Sequence, residues 1–112
     1  MTQRWTVRLT ASADQDIQDI LRWTRNQFGE YQAQAYSTTL FSAVKALADG
    51  FQTIGLKHRP EIGKDIYTLH VARSHKKGRH FVVCRLARNH EVDVLRLLHD
   101  AMDLEQHAGN LP

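Results

Sequence analysis

Ile66-Tyr67-Thr68-Leu69-His70-Val71-Ala72, His80-Phe81-Val82-Val83-Cys84-Arg85-Leu86-Ala87 and Val92-Asp93-Val94-Leu95-Arg96-Leu97-Leu98 are three apolar-rich runs parted by short polar stretches. Runs of this length bounded by turn formers read as strands. The first link, Arg73 to Arg79, contains Lys76-Lys77-Gly78, and the second is the tight turn Arg88-Asn89-His90-Glu91. Consecutive strands with such short links pair antiparallel, so the stretch predicts a three-stranded meander.

Upstream, Phe51 to Lys64 carries Gly55, Pro60 and Gly63 and reads as an irregular connection. Before it, two amphipathic helices are predicted. In the first, from Ala13, the stripe is Ile17, Ile20, Leu21, Thr24 and Phe28, with Gly29 to close it. Ser12 and Gln15 have capping-box spacing, and Asp14 and Asp16 suit the positive end of the helix. The second helix runs from about Glu30 to Asp49, with Tyr36, Leu40, Ala43 or Val44 and Leu47 on its stripe and Gly50 at its end. So short a link makes the pair a helical hairpin, and its apolar stripes need a sheet to cover. Trp5-Thr6-Val7-Arg8-Leu9 alternates like a half-buried strand, and a short helix is expected from Asp100. The expected fold is therefore α+β: an N-terminal strand, a helical hairpin, a three-stranded antiparallel meander and a short C-terminal helix. At 112 residues, 1–112 is read as one domain.

With 42% hydrophobic and 24% charged residues, the chain has a globular composition, and no apolar run reaches the ~18 residues of a membrane span. The polar residues from Met1 to Arg8 do not read as a signal peptide. Cys84 is the only cysteine, which excludes an internal disulfide and a thiolate-based zinc site; inside its apolar run it reads as a small buried hydrophobe. These features point to the cytoplasm. Among the histidines, His70, His75 and His80 are five apart, a spacing that no single strand or helix face brings together, so no metal or other cofactor is expected. Trp5 and Trp23 read as packing residues.

The net charge of +3 is modest, but its distribution is uneven. No acidic residue falls between Ile66 and His90, where Arg73, Lys76, Lys77, Arg79, Arg85 and Arg88 all lie. Such a block faces an anionic partner, or else guards a sheet edge against pairing.

Particular stretches resemble the RelE/ParE toxin superfamily. Leu9-Thr10-Ala11-Ser12-Ala13-Asp14-Gln15-Asp16-Ile17 is similar to the family's strand-to-helix opening, with Gly29 at the position of the glycine between the helices. Gly78-Arg79-His80-Phe81-Val82-Val83-Cys84-Arg85 is similar to a ParE strand, and Leu97-Leu98-His99-Asp100-Ala101-Met102-Asp103-Leu104-Glu105-Gln106-His107 to the ParE C-terminal signature. Cys84-Arg85 departs from the family, many members of which have tyrosine after the apolar run.

The resemblance implies a bacterial, plasmid- or chromosome-encoded toxin of a type II toxin–antitoxin system, hence a role in plasmid stabilisation. It also implies a ParD-like antitoxin whose disordered segment folds across the toxin, forming a hetero-oligomer with it. ParE-type members poison DNA gyrase and are not known as enzymes; the RelE branch cuts messenger RNA in the ribosomal A site. A third reading is an inactive member acting as antitoxin partner or corepressor. For partner contact, the resemblance and the charge pattern single out Arg73, Lys76, Lys77, Arg79, Arg85, His99 and Met102.

In the alternative, nuclease reading, attack by a 2′-hydroxyl needs a base, an acid and cations around the transition state. The RelE map then implies Lys64, Arg73, Arg79, Arg85 and His99. His99 is the one candidate proton shuttle near neutral pH, set against a plain role bonding backbone at a strand end. Arg85 shares a strand face with Phe81 and Val83 and is expected half-buried beside an acid such as Asp93.

Overall fold

The structure, a computed structural model, describes residues 4–102 and 104. Strand β1 (Thr6–Leu9) leads into helices α1 (Ala11–Phe28) and α2 (Glu30–Ala46) and a 3-10 turn over Leu47–Gln52. Strands β2 (Lys57–His58), β3 (Ile66–His70), β4 (His80–Leu86) and β5 (Glu91–His99) follow. They form one sheet in the order β1-β5-β4-β3-β2, antiparallel except where β1 runs parallel to β5. The helical hairpin and meander are as expected. The helix predicted from Asp100 is a turn over residues 100–102, and the rest of that segment lies mostly outside the described residues.

The apolar stripes explain the packing. Ala13 and Ile17 of α1 and Leu40, Ala43 and Val44 of α2, with Leu47 just beyond it, meet Leu69, Val71, Val82, Cys84, Leu86, Val92, Val94 and Leu97 on one face of the sheet. Leu40 and Leu47 are fully buried, each contributing about 1.5–3 kcal/mol. A register shift at Val83/Cys84 leaves Leu95 as an extra residue in β5. Leu95 joins Ile66, Val83 and Leu98 in a smaller cluster, against which Ile62 and Leu104 pack.

Several local expectations are corrected. Helix α1 is capped by Thr10, not Ser12: the Thr10 hydroxyl accepts from Ala13 N and donates to Val94 O, tying the helix start to β5. Asp16 does not simply face the helix dipole. β1 stops pairing at Leu9↔Val94, leaving the edge of β5 open beyond it. There Asp16 accepts from Arg96 Nε at 2.7 Å and from Leu97 N at 2.9 Å. Being an edge strand, β1 is more exposed than its alternation suggests, with Leu9 37% exposed. Trp5 does pack: Gly50, at φ 60°, lies so close that an added Cβ would sit 2.3 Å from its indole. Trp23 and Phe28 instead stand exposed at the tip of the hairpin, edge to face with each other.

Candidate functional site

One end of the sheet gathers chemistry that sequence spacing hides. Register places His80 opposite His99 and His70 opposite Phe81, so the end of β3, the start of β4 and the end of β5 coincide. The His80 and His99 rings lie 5.3 Å apart, edge to face. Asp100, just past β5, accepts from His70 Nε2 at 3.0 Å and from Arg79 Nε at 3.0 Å, while its own N–H donates to Arg79 O at 2.7 Å. Helix α2 contributes Tyr36, whose hydroxyl lies 2.6 Å from His80 Nδ1. Gly78 makes this approach possible, since a Cβ there would lie 2.5 Å from a Val71 methyl and 3.0 Å from the Tyr36 ring.

The hydrogen bonds assign the protons. Tyr36 Oη accepts from Arg79 N and shares a second hydrogen bond with His80 Nδ1. Burial above all, with the neighbouring His99, pushes His80 down to about 4, so the ring is neutral at physiological pH. His70 Nδ1 accepts from Ala72 N, which leaves its Nε2 to carry the proton donated to Asp100. The bond from His70 and then the Arg79 guanidinium hold the Asp100 carboxyl below its ordinary value. His99 Nδ1 accepts from Ala101 N and stands 3.7 Å from Asp100. Each ring thus has an Nδ1 committed to a local partner, an arrangement that fixes strand ends and the start of the following turn.

The residues singled out in the sequence fall at two places. Arg79, His99 and Met102 sit at or beside this node, and Met102 is 44% exposed. Arg73, Lys76 and Lys77 lie on the β3–β4 hairpin next to it. Arg85 lies five residues along β4 from His80, roughly 17 Å at strand rise, and Lys64 is at that far end too, where Leu86 N bonds Asp65 O. Arg85 is exposed rather than half-buried: it is opposite Asp93, but Arg8 takes that carboxylate at 3.0 Å. Lys64, Arg85 and His99 therefore do not converge. Cys84 is fully buried, and burial pushes its thiol up to about 12, as suits a core residue. Among the described residues, no cluster of side chains could hold a metal ion, and no helix is long and apolar enough to cross a membrane.

Residues 7–104 match the family described as the ParE toxin of the type II toxin–antitoxin system parDE. The chain belongs to the ParE toxin family. It is 31% identical over 97 residues to Toxin ParE of Escherichia coli, covering 86% of this chain and 85% of that protein. Its fold is similar to a chain of the chromosomal ParDE system from P. aeruginosa, with TM-score 0.68 and 20% identity over 87% of this chain and 97% of the other. It is less similar to a chain of the RelBE2 toxin–antitoxin complex from Mycobacterium tuberculosis, with TM-score 0.53 and 20% identity over 86% and 98% of the two chains. It is thus a ParE-family toxin of the type II class.

For this ParE-family chain, sequence reasoning named His99 and Arg79 but not Tyr36, His70, His80 or Asp100 as parts of one site. The strand register gave part of the signal: pairing β4 and β5 about the Arg88–Glu91 turn brings His80 to the end of β5, and the bulge at Leu95 then sets it opposite His99 rather than Leu98. Tyr36 was readable only as a stripe residue, because its partner lies 44 positions away.

Proposed function

We propose that this toxin poisons DNA gyrase and is neutralised by a ParD-like antitoxin that folds across it. The observation that carries the reading is the family match over residues 7–104, joined to 31% identity with Toxin ParE. The site geometry supports a contact protein over a catalyst. His80 is neutral and bonded to Tyr36, the Nδ1 atoms of His70 and His99 accept backbone N–H groups, and Lys64 and Arg85 are at the opposite end of β4. The helical hairpin offers an antitoxin helix exposed apolar residues in Trp23, Phe28, Tyr31 and Phe41. Extended antitoxin chain continuing towards Arg73, Lys76 and Lys77 would meet, at the rim of that interface, cations that form no ion pair among the described residues.

The gathering of His70 and His99 at Asp100, with His80 facing His99, is the one observation that favours a ribosome-dependent nuclease. The two readings are tested together by adding purified toxin to gyrase with supercoiled DNA and to translating ribosomes. Gyrase-linked DNA breaks without A-site cleavage support the proposal; the reverse pattern replaces it.

A further inference from the structure

Most arginines of this chain are neutralised within it. Arg8 pairs with Glu91 and Asp93, Arg22 with Asp19, Arg25 with Glu30, Arg59 with Glu61 and Arg96 with Asp16. The hairpin between β3 and β4 instead crowds its cations into one short stretch. Among the described residues, no carboxylate lies within 4 Å of Arg73, Lys76 or Lys77, and Arg79, though bonded to Asp100, stays 70% exposed. Arg73 Nε is buried without a hydrogen-bond partner, so part of this guanidinium is desolvated and unmatched. Ser74 and His75 adopt consecutive positive φ values of 52° and 68°, a left-handed crown held without glycine.

The hairpin's composition selects among anionic partners. From Ala72 to Arg79 it has no side chain larger than alanine that is apolar, and no Phe, Tyr or Trp. A protein interface needs apolar or aromatic anchors at its centre, and single-stranded nucleic acid needs stacking platforms. Closely spaced cations with a serine and a histidine suit phosphates presented by a regular duplex. We infer that the Arg73–Arg79 hairpin is a contact surface for the sugar-phosphate backbone of double-helical DNA. The contact is independent of sequence and rests on no choice of protein target, so it stands or falls apart from the gyrase reading.

The test measures binding of the purified toxin to a labelled 30-base-pair DNA duplex and to single-stranded RNA of the same length across a salt series. Lys76→Gln with Lys77→Gln is compared with Lys45→Gln with Lys57→Gln, which removes the same charge from elsewhere on the surface; thermal melts confirm that both variants fold. The hairpin variant should lower the slope of log K against log salt by about 2, at about 0.9 per lost phosphate contact, and the control should leave it near the wild-type value. Duplex DNA should bind more tightly than single-stranded RNA. Equal losses in the two variants, an unchanged slope, or tighter binding of single-stranded RNA would each overturn the inference.

Discussion

The Tyr36 hydroxyl is hydrogen-bonded to His80 Nδ1 across 2.6 Å while accepting the Arg79 N–H, which joins helix α2 to the start of β4 through one oxygen. Tyr36→Phe removes both bonds and should cost about 1–2 kcal/mol in denaturant unfolding.

His80 further predicts a pH dependence. Its folded pKa, about 4, lies below the ordinary 6.5, so the unfolded chain binds the extra proton first as pH falls. The associated stability is fully present above about pH 6.5 and is lost as pH falls to about 4. Screening at this partly exposed ring limits the effect to about 1–2 kcal/mol. The groups facing His80 include Tyr36, His70, His99, Asp16 and Asp100, so the useful measurement is a difference. Wild type minus His80→Asn, followed by urea unfolding, should show a loss confined to that window.

The Asp16–Arg96 pair should matter more than any surface ion pair here. Its side chains are only 15% and 23% exposed, and the Asp16 carboxylate also closes the open edge of β5 at Leu97 N. Asp16→Ala should destabilise by about 2–3 kcal/mol, and a double-mutant cycle with Arg96→Ala should give a coupling of about 1–2 kcal/mol. Arg22→Ala, whose ion pair is exposed, should cost less than about 0.5 kcal/mol.

What was legible in the sequence follows from range. The stripes of Ile17, Leu40, Val44 and Leu47 and the three apolar runs are local periodicities, and they placed the helical hairpin on the meander. The parallel pairing of β1 with β5 joins residues about 85 apart, and no local pattern encodes it. Thr10 lost to Ser12 on motif alone because its second partner, Val94 O, is equally remote. The same holds for the site. Arg79 and His99 were readable as charge and motif, whereas the node required Tyr36, His70, His80 and Asp100 to be brought together by register. Trp23 and Phe28 fit the rule that large aromatics pack, yet they occupy the end of α1, where it extends past the sheet.

Leu40 tests the shared core. It is fully buried between α2 and the sheet, so Leu40→Asp should leave the chain without cooperative unfolding by circular dichroism, whereas Leu40→Ala should fold with a loss of about 2–5 kcal/mol.

The most direct measurement of the central claim is a gyrase cleavage assay with folded wild-type and His99→Ala toxin, run beside ribosome-dependent messenger-RNA cleavage. A contact toxin needs no proton from the His99 ring, whose Nδ1 accepts from Ala101 N. The account predicts accumulation of gyrase-linked DNA breaks with both proteins, within a few-fold of each other, and no A-site cleavage with either. A wild type that cuts A-site RNA and loses 10²–10⁴-fold of that rate in His99→Ala, with no effect on gyrase, would contradict it.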